Sequence, residues 1–385
     1  MTRYFLLLFF ITHLTIECSA QTTNFLKTFS TTQELAFFNL TNTYKSGYVV
    51  CGYSHGFDGG DFVVLKTDSN GNEEWRYINN QYDGDYYDNY FNNIIETSDH
   101  SYIAAGEIWT PAALKNILYA KIDSAGNLIW KKQISNIAIS DFGDLLVGDD
   151  STILLTASTI AGTLVIKTNY IGDTLWQRTI PLQNGQAFAP QGTLKIGSNY
   201  FISGKNNFTG SHATFKIMKI DCIGNLLWAN EIYDSLSVYQ FCSLRIQNDS
   251  LLVNLNQYTD SSGIYHYKTK FFDLQSNLIL TKSIIEKPYK SNLLKDSSFV
   301  HSYAGVYDTL FACERNFFNS TTRLFRGFEA QFAETQSILE DKNKSIIFAG
   351  YIDDGANTNS LGFLMRFNKN SIVGISDLRM LNKIK

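Results

Sequence analysis

The sequence has few prolines, few charged residues and no regular spacing of histidines. Of its 385 residues only four are proline and 18% are charged, and the formal net charge is −4. This charge excludes the strongly basic composition of typical nucleic-acid-binding proteins, so we expect no nucleic acid partner. The six histidines form neither a His-x-His nor a His-Glu-x-x-His motif, so no metal site is predicted. There is also no glycine-rich phosphate loop ahead of a helix, and we expect no bound cofactor.

Helical periodicity and long apolar segments are missing as well. No segment keeps a helical pattern over three turns, and the only extended apolar run, at 5–11, follows Arg3 and precedes small residues at 18–20. This order is typical of a signal peptide, so residues 1–20 are predicted to be removed. The mature chain is then expected to be secreted or on the cell surface. The run is too short to cross a bilayer, and no membrane span is predicted.

Cysteine is scarce, with five in the sequence and four after residue 20. Their spacing does not match the framework of small disulfide-stabilised domains. Cys51 and Cys313 fall within apolar strand patterns and are expected to be buried free thiols. Cys222 and Cys242 are the one pair that we consider for a disulfide.

The most informative feature that is present is an internal repeat. The pattern Lys-x-Asp-x-x-Gly-Asn-x-x-Trp, with small variations, occurs at 66–75, 121–130, 167–176 and 219–228, and a weaker fifth copy lies at 273–280. The acidic residue favours a type I turn, and the glycine provides the positive φ angle that closes a bulged hairpin. Each copy therefore predicts a β-hairpin whose tryptophan packs on its neighbour.

A second repeated segment, an apolar strand that ends near a small residue, comes before each hairpin. The copies lie at 48–52, 102–106, 153–157, 200–204, 251–255, 310–314 and 346–350. With one further strand ahead of each copy, the unit has four strands and is present seven times. Four-stranded units repeated around an axis form a β-propeller.

We therefore predict an all-β protein, a seven-bladed β-propeller over residues 21–376 with a C-terminal tail at 377–385. Residues 24–29 resemble the strand that follows each hairpin. They are expected to pair with the last blade and to close the ring, which hides the edge of that sheet.

The best hairpin copy, at 60–75, resembles the repeat of secreted bacterial seven-bladed β-propellers, and the similarity extends over 30–375 as an array. The resemblance implies a fold and says little about function, because propellers carry many activities. The same motif is similar to the tryptophan-docking repeat of quinoprotein propellers and of outer-membrane assembly scaffolds. The vicinal cysteine pair of the quinoproteins is missing here, which argues against a quinone cofactor. Residues 372–378 resemble the connector to the sorting domain of type IX secreted proteins, a domain that this sequence does not contain.

One group of residues is predicted to form a binding site. In a propeller blade the link to the next blade and the loop between the second and third strands open on the same face. Aromatic faces stack on apolar surfaces and carboxylates accept hydrogen bonds, so aromatic and acidic residues in these loops suit a glycan or a protein partner. The candidates are Tyr82, Asp83, Asp85, Tyr86 and Tyr87 in the link 78–92, Trp109 in the adjacent loop, and His55 and Asp58 in the corresponding loop of the first blade.

Three functions stay open at this point. The first is a non-catalytic binding propeller that acts as a monomer, and the second is a scaffold for envelope assembly. The third is a glycan-cleaving enzyme that uses Asp58, Asp83, Asp85 or Asp88, which would require two carboxylates at a defined separation. We assign no catalytic residue, and we see no concentration of charge near the innermost strands. The Gly-x-Ser-x-Gly motif at 52–56 lacks the helix that a nucleophile elbow requires, so its serine is interpreted as a strand residue.

Overall fold

The computed structural model describes residues 25–31, 34–56, 59–79, 89–110, 114–148, 151–181, 188–206, 214–233, 238–247, 251–259, 265–284, 290–293, 299–304, 310–315, 321–326, 332–353 and 360–368. Within these ranges the regular structure is entirely β, with 28 strands in seven four-stranded antiparallel sheets. Each sheet is one blade of a β-propeller. The predicted fold class, an all-β seven-bladed propeller, is confirmed.

The first four blades each follow the chain from the innermost to the outermost strand. Blade 1 contains β2 (Glu34–Asn42), β3 (Tyr48–Gly56), β4 (Gly59–Thr67) and β5 (Glu73–Ile78). Blade 2 contains β6 (Tyr90–Glu96), β7 (Tyr102–Trp109), β8 (Lys115–Ile122) and β9 (Leu128–Ile139). Blade 3 contains β10 (Asp141–Val147), β11 (Ile153–Thr159), β12 (Gly162–Thr168) and β13 (Thr174–Pro181). Blade 4 contains β14 (Phe188–Ile196), β15 (Asn199–Asn206), β16 (Thr214–Ile220) and β17 (Leu226–Tyr233).

The last three blades keep this order, except that the N-terminal strand completes the seventh. Blade 5 contains β18 (Val238–Gln247), β19 (Leu251–Thr259), β20 (Tyr265–Phe272) and β21 (Leu278–Ile284). Blade 6 contains β22 (Lys290–Leu293), β23 (Phe299–Ala304), β24 (Leu310–Arg315) and β25 (Thr321–Arg326). Blade 7 contains β26 (Phe332–Glu340), β27 (Ile346–Asp353), β28 (Leu361–Phe367) and β1 (Phe25–Phe29).

The N-terminal strand joins the first and last parts of the chain. β1 pairs antiparallel with β28, and Phe25 lies opposite Arg366. A Cβ atom on Gly71 of blade 1 would lie 2.5 Å from the Phe25 ring, so this ring packs directly on the first hairpin. The predicted pairing of residues 24–29 with the last blade is confirmed for the described strand.

The hairpins contain the predicted turn. In blade 2, Asp123 Oδ1 accepts hydrogen bonds from the backbone N–H groups of Ala125 (2.9 Å) and Asn127 (2.8 Å), and Oδ2 accepts one from Asn127 Nδ2 (2.9 Å). Gly126 has a φ angle of +92°, which glycine adopts at little cost. The same set of hydrogen bonds holds the turns at Asp68, Asp221 and Asp273.

Each hairpin glycine is also the contact for the outer strand of the preceding blade. A Cβ atom on Gly126 would lie 2.8 Å from the Trp75 ring. Trp75 Nε1 also donates a hydrogen bond to the backbone oxygen of Ser124 at 3.0 Å. The same contact recurs between Trp130 and Gly172 and between Trp176 and Gly224. The predicted packing of the tryptophan on its neighbour is therefore confirmed in these blades.

The hydrophobic core lies between the faces of adjacent blades. Between blades 1 and 2, for example, Val64 packs in one buried cluster with Ala104 and Leu118. Cys51 belongs to the same cluster and is a buried free thiol, as predicted. Burial raises the pKa of this thiol well above its ordinary value.

Three further sequence predictions have mixed outcomes. Cys222 is free and exposed, so the disulfide considered between Cys222 and Cys242 is not formed. The side chain of Cys313 lies outside the described part of the chain. The assignment of 310–314 to the second strand of blade 6 is wrong, because these residues form the third strand and β23 is the second. Both strands are short and apolar, so their pattern does not distinguish them.

Alanine at Gly126 tests the contact between hairpin and tryptophan, with Gly197 as a matched control. Both glycines have positive φ angles, but a Cβ on Gly197 meets no atom within 4 Å. Gly197→Ala is expected to lower the free energy of unfolding by about 1 kcal/mol, and Gly126→Ala by about 2–3 kcal/mol. The measurement is urea unfolding of both variants and the parent protein. Equal losses would show that backbone strain alone, and not the Trp75 contact, accounts for the effect.

Candidate functional site

The alternation of strand direction divides the blade ends between two faces. The loop face carries the links between blades and the loops between second and third strands, and the hairpin face carries the turns such as 68–72. His55, near the end of β3, and Trp109, the last residue of β7, are both on the loop face. The other predicted site residues, Tyr82, Asp83, Asp85, Tyr86, Tyr87 and Asp58, lie outside the described residues.

An extra residue in the innermost strand shapes the loop face. The register of β2 with β3 shifts between Phe37 and Asn39, which leaves Phe38 as a β-bulge. The opposing residue is Gly52, where a Cβ would lie 1.9 Å from the backbone oxygen of Ala36. Blades 2, 4 and 7 repeat the bulge and the close approach. The residues that follow the four glycines, on the loop-face side of each bulge, are Tyr53, Glu107, Lys205 and Tyr351.

Aromatic side chains connect blades 1 and 2 at this level. The ring centre of Phe38 is 5.4 Å from that of Tyr53 and 5.4 Å from that of Tyr90, and Tyr53 is 6.3 Å from the imidazole of His55. The Phe38–Tyr90 and Tyr53–His55 contacts are edge-to-face, which fixes the orientation of these rings. All four side chains are half-buried, so part of each remains accessible.

Glu107 is the central polar residue of this region. It is only 2% exposed. It accepts hydrogen bonds from the Tyr90 hydroxyl (3.1 Å) and the backbone N–H of Phe142 (2.6 Å), and it forms an ion pair with Lys115 (2.8 Å). These three donors satisfy the hydrogen-bonding needs of the buried carboxylate. Glu107 therefore ties blades 2 and 3 together and positions Tyr90 and Lys115.

Lys115 links this carboxylate to the predicted residue Trp109. Its ammonium group lies 5.1 Å from the centre of the Trp109 ring, within the range of a cation–π contact. Burial alone would lower the pKa of Lys115, but its hydrogen bond to Glu107 and the charges of Glu107 and Asp141 raise it above the usual value. The backbone N–H of Trp109 donates to Asn89 Oδ1 at 3.0 Å. The lysine thus stays positively charged beside a half-buried indole ring.

These contacts form one continuous series, which we call the loop-face row. The row consists of His55, Tyr53, Phe38, Tyr90, Glu107, Lys115 and Trp109. The two described residues that sequence analysis singled out are its ends, and the five side chains between them were missed. Tyr53 and Glu107 could have been found by aligning the second strands of the blades on the small residue that ends each repeat, such as Gly52 or Gly106. The residue directly after this small residue is polar and differs between blades.

Blade 7 adds a second acidic group next to the row. The Tyr351 hydroxyl and the Gln336 amide both donate to the Glu334 carboxylate. Burial, and then the hydrogen bond to Glu334, raise the pKa of Tyr351 well above its ordinary value. Tyr351 therefore stays protonated and acts as a donor. An electrostatic interaction with Tyr53 of blade 1 also raises the pKa of Tyr351, so the two tyrosines lie close together across the blade boundary.

The serine of the Gly-x-Ser-x-Gly motif has a structural role. Ser54 is buried in β3, and its Oγ lies 3.0 Å from Thr31 Oγ1, so the two hydroxyls share a hydrogen bond. The adjacent third strand carries Asp61 opposite Ser54. Burial raises the pKa of Asp61. The interpretation of this serine as a strand residue is confirmed.

Polar side chains of the innermost strands connect neighbouring blades. Asp144 of blade 3 accepts hydrogen bonds from the side chain of Asn93 in blade 2 and from the backbone N–H of Thr193 in blade 4 (2.6 Å). Asp144 and Asn93 each follow a bulge, which turns the side chain towards the neighbouring blade. Asn39 continues the series, with its amide 3.5 Å from Asn93 Oδ1.

Asp144 also interacts with a cation. Burial raises the pKa of Asp144 to about 6. Hydrogen bonds from Leu145 and Thr193 and the positive charge of Arg245 oppose this effect and lower the pKa. No group of three His, Cys, Asp or Glu side chains among the described residues is arranged to hold a metal ion.

Polysaccharide lyases of known structure share this fold. The polysaccharide lyase Uly1 superimposes with a TM-score of 0.56 at 8% identity, over 86% of this chain and 89% of that protein. The PL25 ulvan lyase bound to -[GlcA(1-4)Rha3S]- gives a TM-score of 0.56 at 8% identity, over 92% of this chain and 99% of the lyase. At such identities the similarity shows the fold alone. No family model matches the chain, and no curated protein matches its sequence.

Within the described ranges, the chain has no helix that is long and apolar enough to cross a bilayer.

Asp144→Asn tests the titration of the inner carboxylate. The pKa is about 6 in the folded state against an ordinary value of 3.8, so Asp144 contributes stability that is fully present below pH 3.8 and is lost as the pH rises through 6. The stability of the parent protein relative to Asp144→Asn should therefore fall by about 1–2 kcal/mol between pH 4.5 and 7.5. Urea unfolding at several pH values measures this difference.

Asp123→Asn is the control for this titration. The side-chain hydrogen bond from Asn127 lowers the pKa of Asp123 below its ordinary value of 3.8, so this carboxylate stays ionised over the range tested. Its relative stability should stay constant between pH 4.5 and 7.5. A constant difference for Asp144→Asn as well would mean that Asp144 is ionised throughout this range.

Proposed function

We propose that this protein is an extracytoplasmic β-propeller that binds a glycan, without cleaving it, at the loop-face row. The observation that carries the proposal is the continuous series of aromatic and polar side chains from His55 to Trp109, all half-buried except the buried Glu107. Such a strip offers ring faces and hydrogen-bonding groups side by side, over the boundary between two blades.

The chemistry of the row suits a sugar chain. A pyranose ring has an apolar face, which stacks on an aromatic ring, and hydroxyl groups at its edge, which require donors and acceptors. Trp109, Tyr53 and Phe38 provide the rings. Lys115 provides a charged donor between them, and the Tyr53 hydroxyl and His55 imidazole provide further polar groups.

The row is also held in place before any ligand binds. Phe38 contacts two tyrosines, and Glu107 holds Tyr90 and Lys115. Side chains that are already ordered lose little conformational entropy on binding, which favours affinity. This order distinguishes the row from isolated surface aromatics, which are common.

Two further observations support the proposal. Both solved structures described above are lyases that act on polysaccharides by name, so the fold is used by glycan-handling proteins. The segment 1–20 has the order of a signal peptide, which supports export to a place where polymeric glycans occur.

Binding is favoured over hydrolysis because two carboxylates at the row, Glu107 and Glu334, are already engaged. Glu107 accepts three donors, and Glu334 accepts bonds from Tyr351 and Gln336. A glycosidase needs one carboxylic acid free to give a proton and a second carboxylate free to attack or activate water. Glu107 and Glu334 serve instead as positioning residues.

Cleavage of the glycan by a lyase reaction is the second candidate. The specific observation in its favour is the contact between the Tyr53 ring and the His55 imidazole, since phenol and imidazole groups can exchange protons with a substrate. The names of the two similar structures point in the same direction.

Tyr53→Ala and Trp109→Ala test the binding site, with Tyr44→Ala as control. Tyr44 is 62% exposed and lies in a turn of the hairpin face, so its loss should leave glycan binding unchanged. The purified protein is first screened on a panel of polysaccharides, and affinities for the ligands found are measured by titration calorimetry. Each loop-face variant should weaken binding at least about tenfold, because each removes a stacking surface.

The same assays distinguish the alternatives. New unsaturated ends, detected by ultraviolet absorbance, would establish lyase activity and replace the binding proposal. Binding that survives both loop-face substitutions would move the site elsewhere on the protein. If no polysaccharide binds, the glycan proposal is wrong and a protein partner becomes the better hypothesis.

A further inference from the structure

The outer strands display a regular series of exposed aliphatic side chains. In blade 2 the register of β8 with β9 shifts between Lys121 and Ile122, so Ile129 is an extra residue in the outer strand. Blades 3, 4 and 5 have the same bulge. It lies one residue before Trp176, Trp228 and Leu280, respectively. The extra residues are Ile129, Leu175, Leu227 and Ile279, and they are 50%, 54%, 52% and 61% exposed.

Two hairpin tips extend this series. Ile171 in blade 3 and Ile223 in blade 4 are 60% and 55% exposed and come directly before the hairpin glycines. Trp130 packs on the first of these glycines and Trp176 on the second, so the indole rings lie between one blade's aliphatic residues and the next. We call the six aliphatic residues, which follow the rim of the hairpin face over four consecutive blades, the apolar arc.

The arc ends at blade 1, where charge replaces the aliphatic residue. The equivalent extra residue is Glu74, which forms an ion pair with Lys66. The hairpin therefore does not need an aliphatic side chain at this position for its own stability. Blades 2 to 5 nevertheless each carry an exposed aliphatic residue at this position. Contact with a partner surface gives a physical reason for these residues.

The size of the arc matches a protein interface. If a free Leu or Ile exposes about 180 Å², the six residues leave on the order of 600 Å² accessible, and Leu128, Leu226 and Leu278 beside them add about 200 Å². Stable complexes bury roughly 800 Å² on each partner. Monomers rarely expose this much contiguous apolar surface.

We propose that the apolar arc is the contact surface between two copies of this chain. A second copy presents the same side chains at the same blade-to-blade spacing, so the two arcs match about a two-fold axis, as in most homodimers. Bulges in the outer strands prevent edge-to-edge strand pairing, so the contact is made by side chains. The sequence alone led us to expect a monomer, and the arc is the feature that changes this expectation.

A protein surface fits the arc better than a lipid surface. The same hairpins carry Asp123 and Asp173, whose pKa values are lowered by hydrogen bonds from Asn127 and Lys132 respectively. Both carboxylates are thus charged at neutral pH. Insertion of the tips into hydrocarbon would remove water from these charges, whereas a protein interface leaves them in its hydrated rim.

Sedimentation velocity from about 1 to 100 µM tests the proposal on the purified protein and on the double variant Leu175→Glu/Leu227→Glu. Glutamate stands at the equivalent position of blade 1, so the hairpins should tolerate it, and circular dichroism verifies that the variant is folded. The parent protein should sediment as a dimer. The double variant should be monomeric, with a dissociation constant raised at least about 100-fold because four buried charges oppose each other across the two-fold axis.

Ile160→Glu is the matched control, because Ile160 is 89% exposed and lies between the second and third strands of blade 3 on the loop face. This variant should remain a dimer. A parent protein that is monomeric at every concentration, or a dimer that survives the double substitution, would overturn the proposal. Flotation of a monomeric parent with phosphatidylcholine vesicles, lost in the double variant, would overturn it in favour of a lipid surface.

Discussion

Extra residues at two fixed places in the blades determine what this propeller presents to its surroundings. A β-bulge adds one residue to a strand, bends it and re-aims the side chains beyond. The bulge in the innermost strand brings its backbone against the second strand, where only glycine fits at positions such as Gly52. The bulge in the outermost strand precedes the tryptophan and leaves one side chain exposed, as at Ile129. The first bulge forms the loop-face row and the second forms the apolar arc.

The fold could be predicted from the sequence because the repeat is a local pattern. Each hairpin motif contains its own turn hydrogen bonds, and a tryptophan with a fixed target in the next hairpin. The pattern weakens where these residues are replaced, and there the prediction failed: in blade 6 no tryptophan marks the outer strand, and 310–314 was assigned to the wrong strand. In blade 7 the Phe25 ring packs on Gly71 where other blades use a tryptophan. The architecture therefore requires an aromatic contact with the hairpin glycine, and not tryptophan itself.

The site could be predicted only in part, for a different reason. His55 and Trp109 were found because they lie at the ends of β3 and β7, next to loops, where aromatic residues are conspicuous in the sequence. Tyr53, Glu107 and Lys115 lie in strands, where an alternating pattern makes them look like ordinary outward-facing residues. Asp144 was missed in the same way, because only the bulge before it turns it towards Asn93 and Thr193. Contacts between blades determine which of these strand residues belong to the site. Such contacts cannot be inferred from the alternation of polar and apolar residues within a single strand.

The two surfaces are compatible because they lie on opposite faces. The turns of the hairpin face are separated from the loops of the loop face by the full length of the strands, so contact through the hairpin rim leaves the loop-face row uncovered. Two copies joined through their arcs would point their rows away from each other. One polymer chain long enough to reach both rows, or two chains on neighbouring surfaces, would then be held by two sites at once, and the second binding event would profit from a high effective concentration. If the rows bind a glycan as proposed, a modest affinity at each row would be sufficient in such an arrangement.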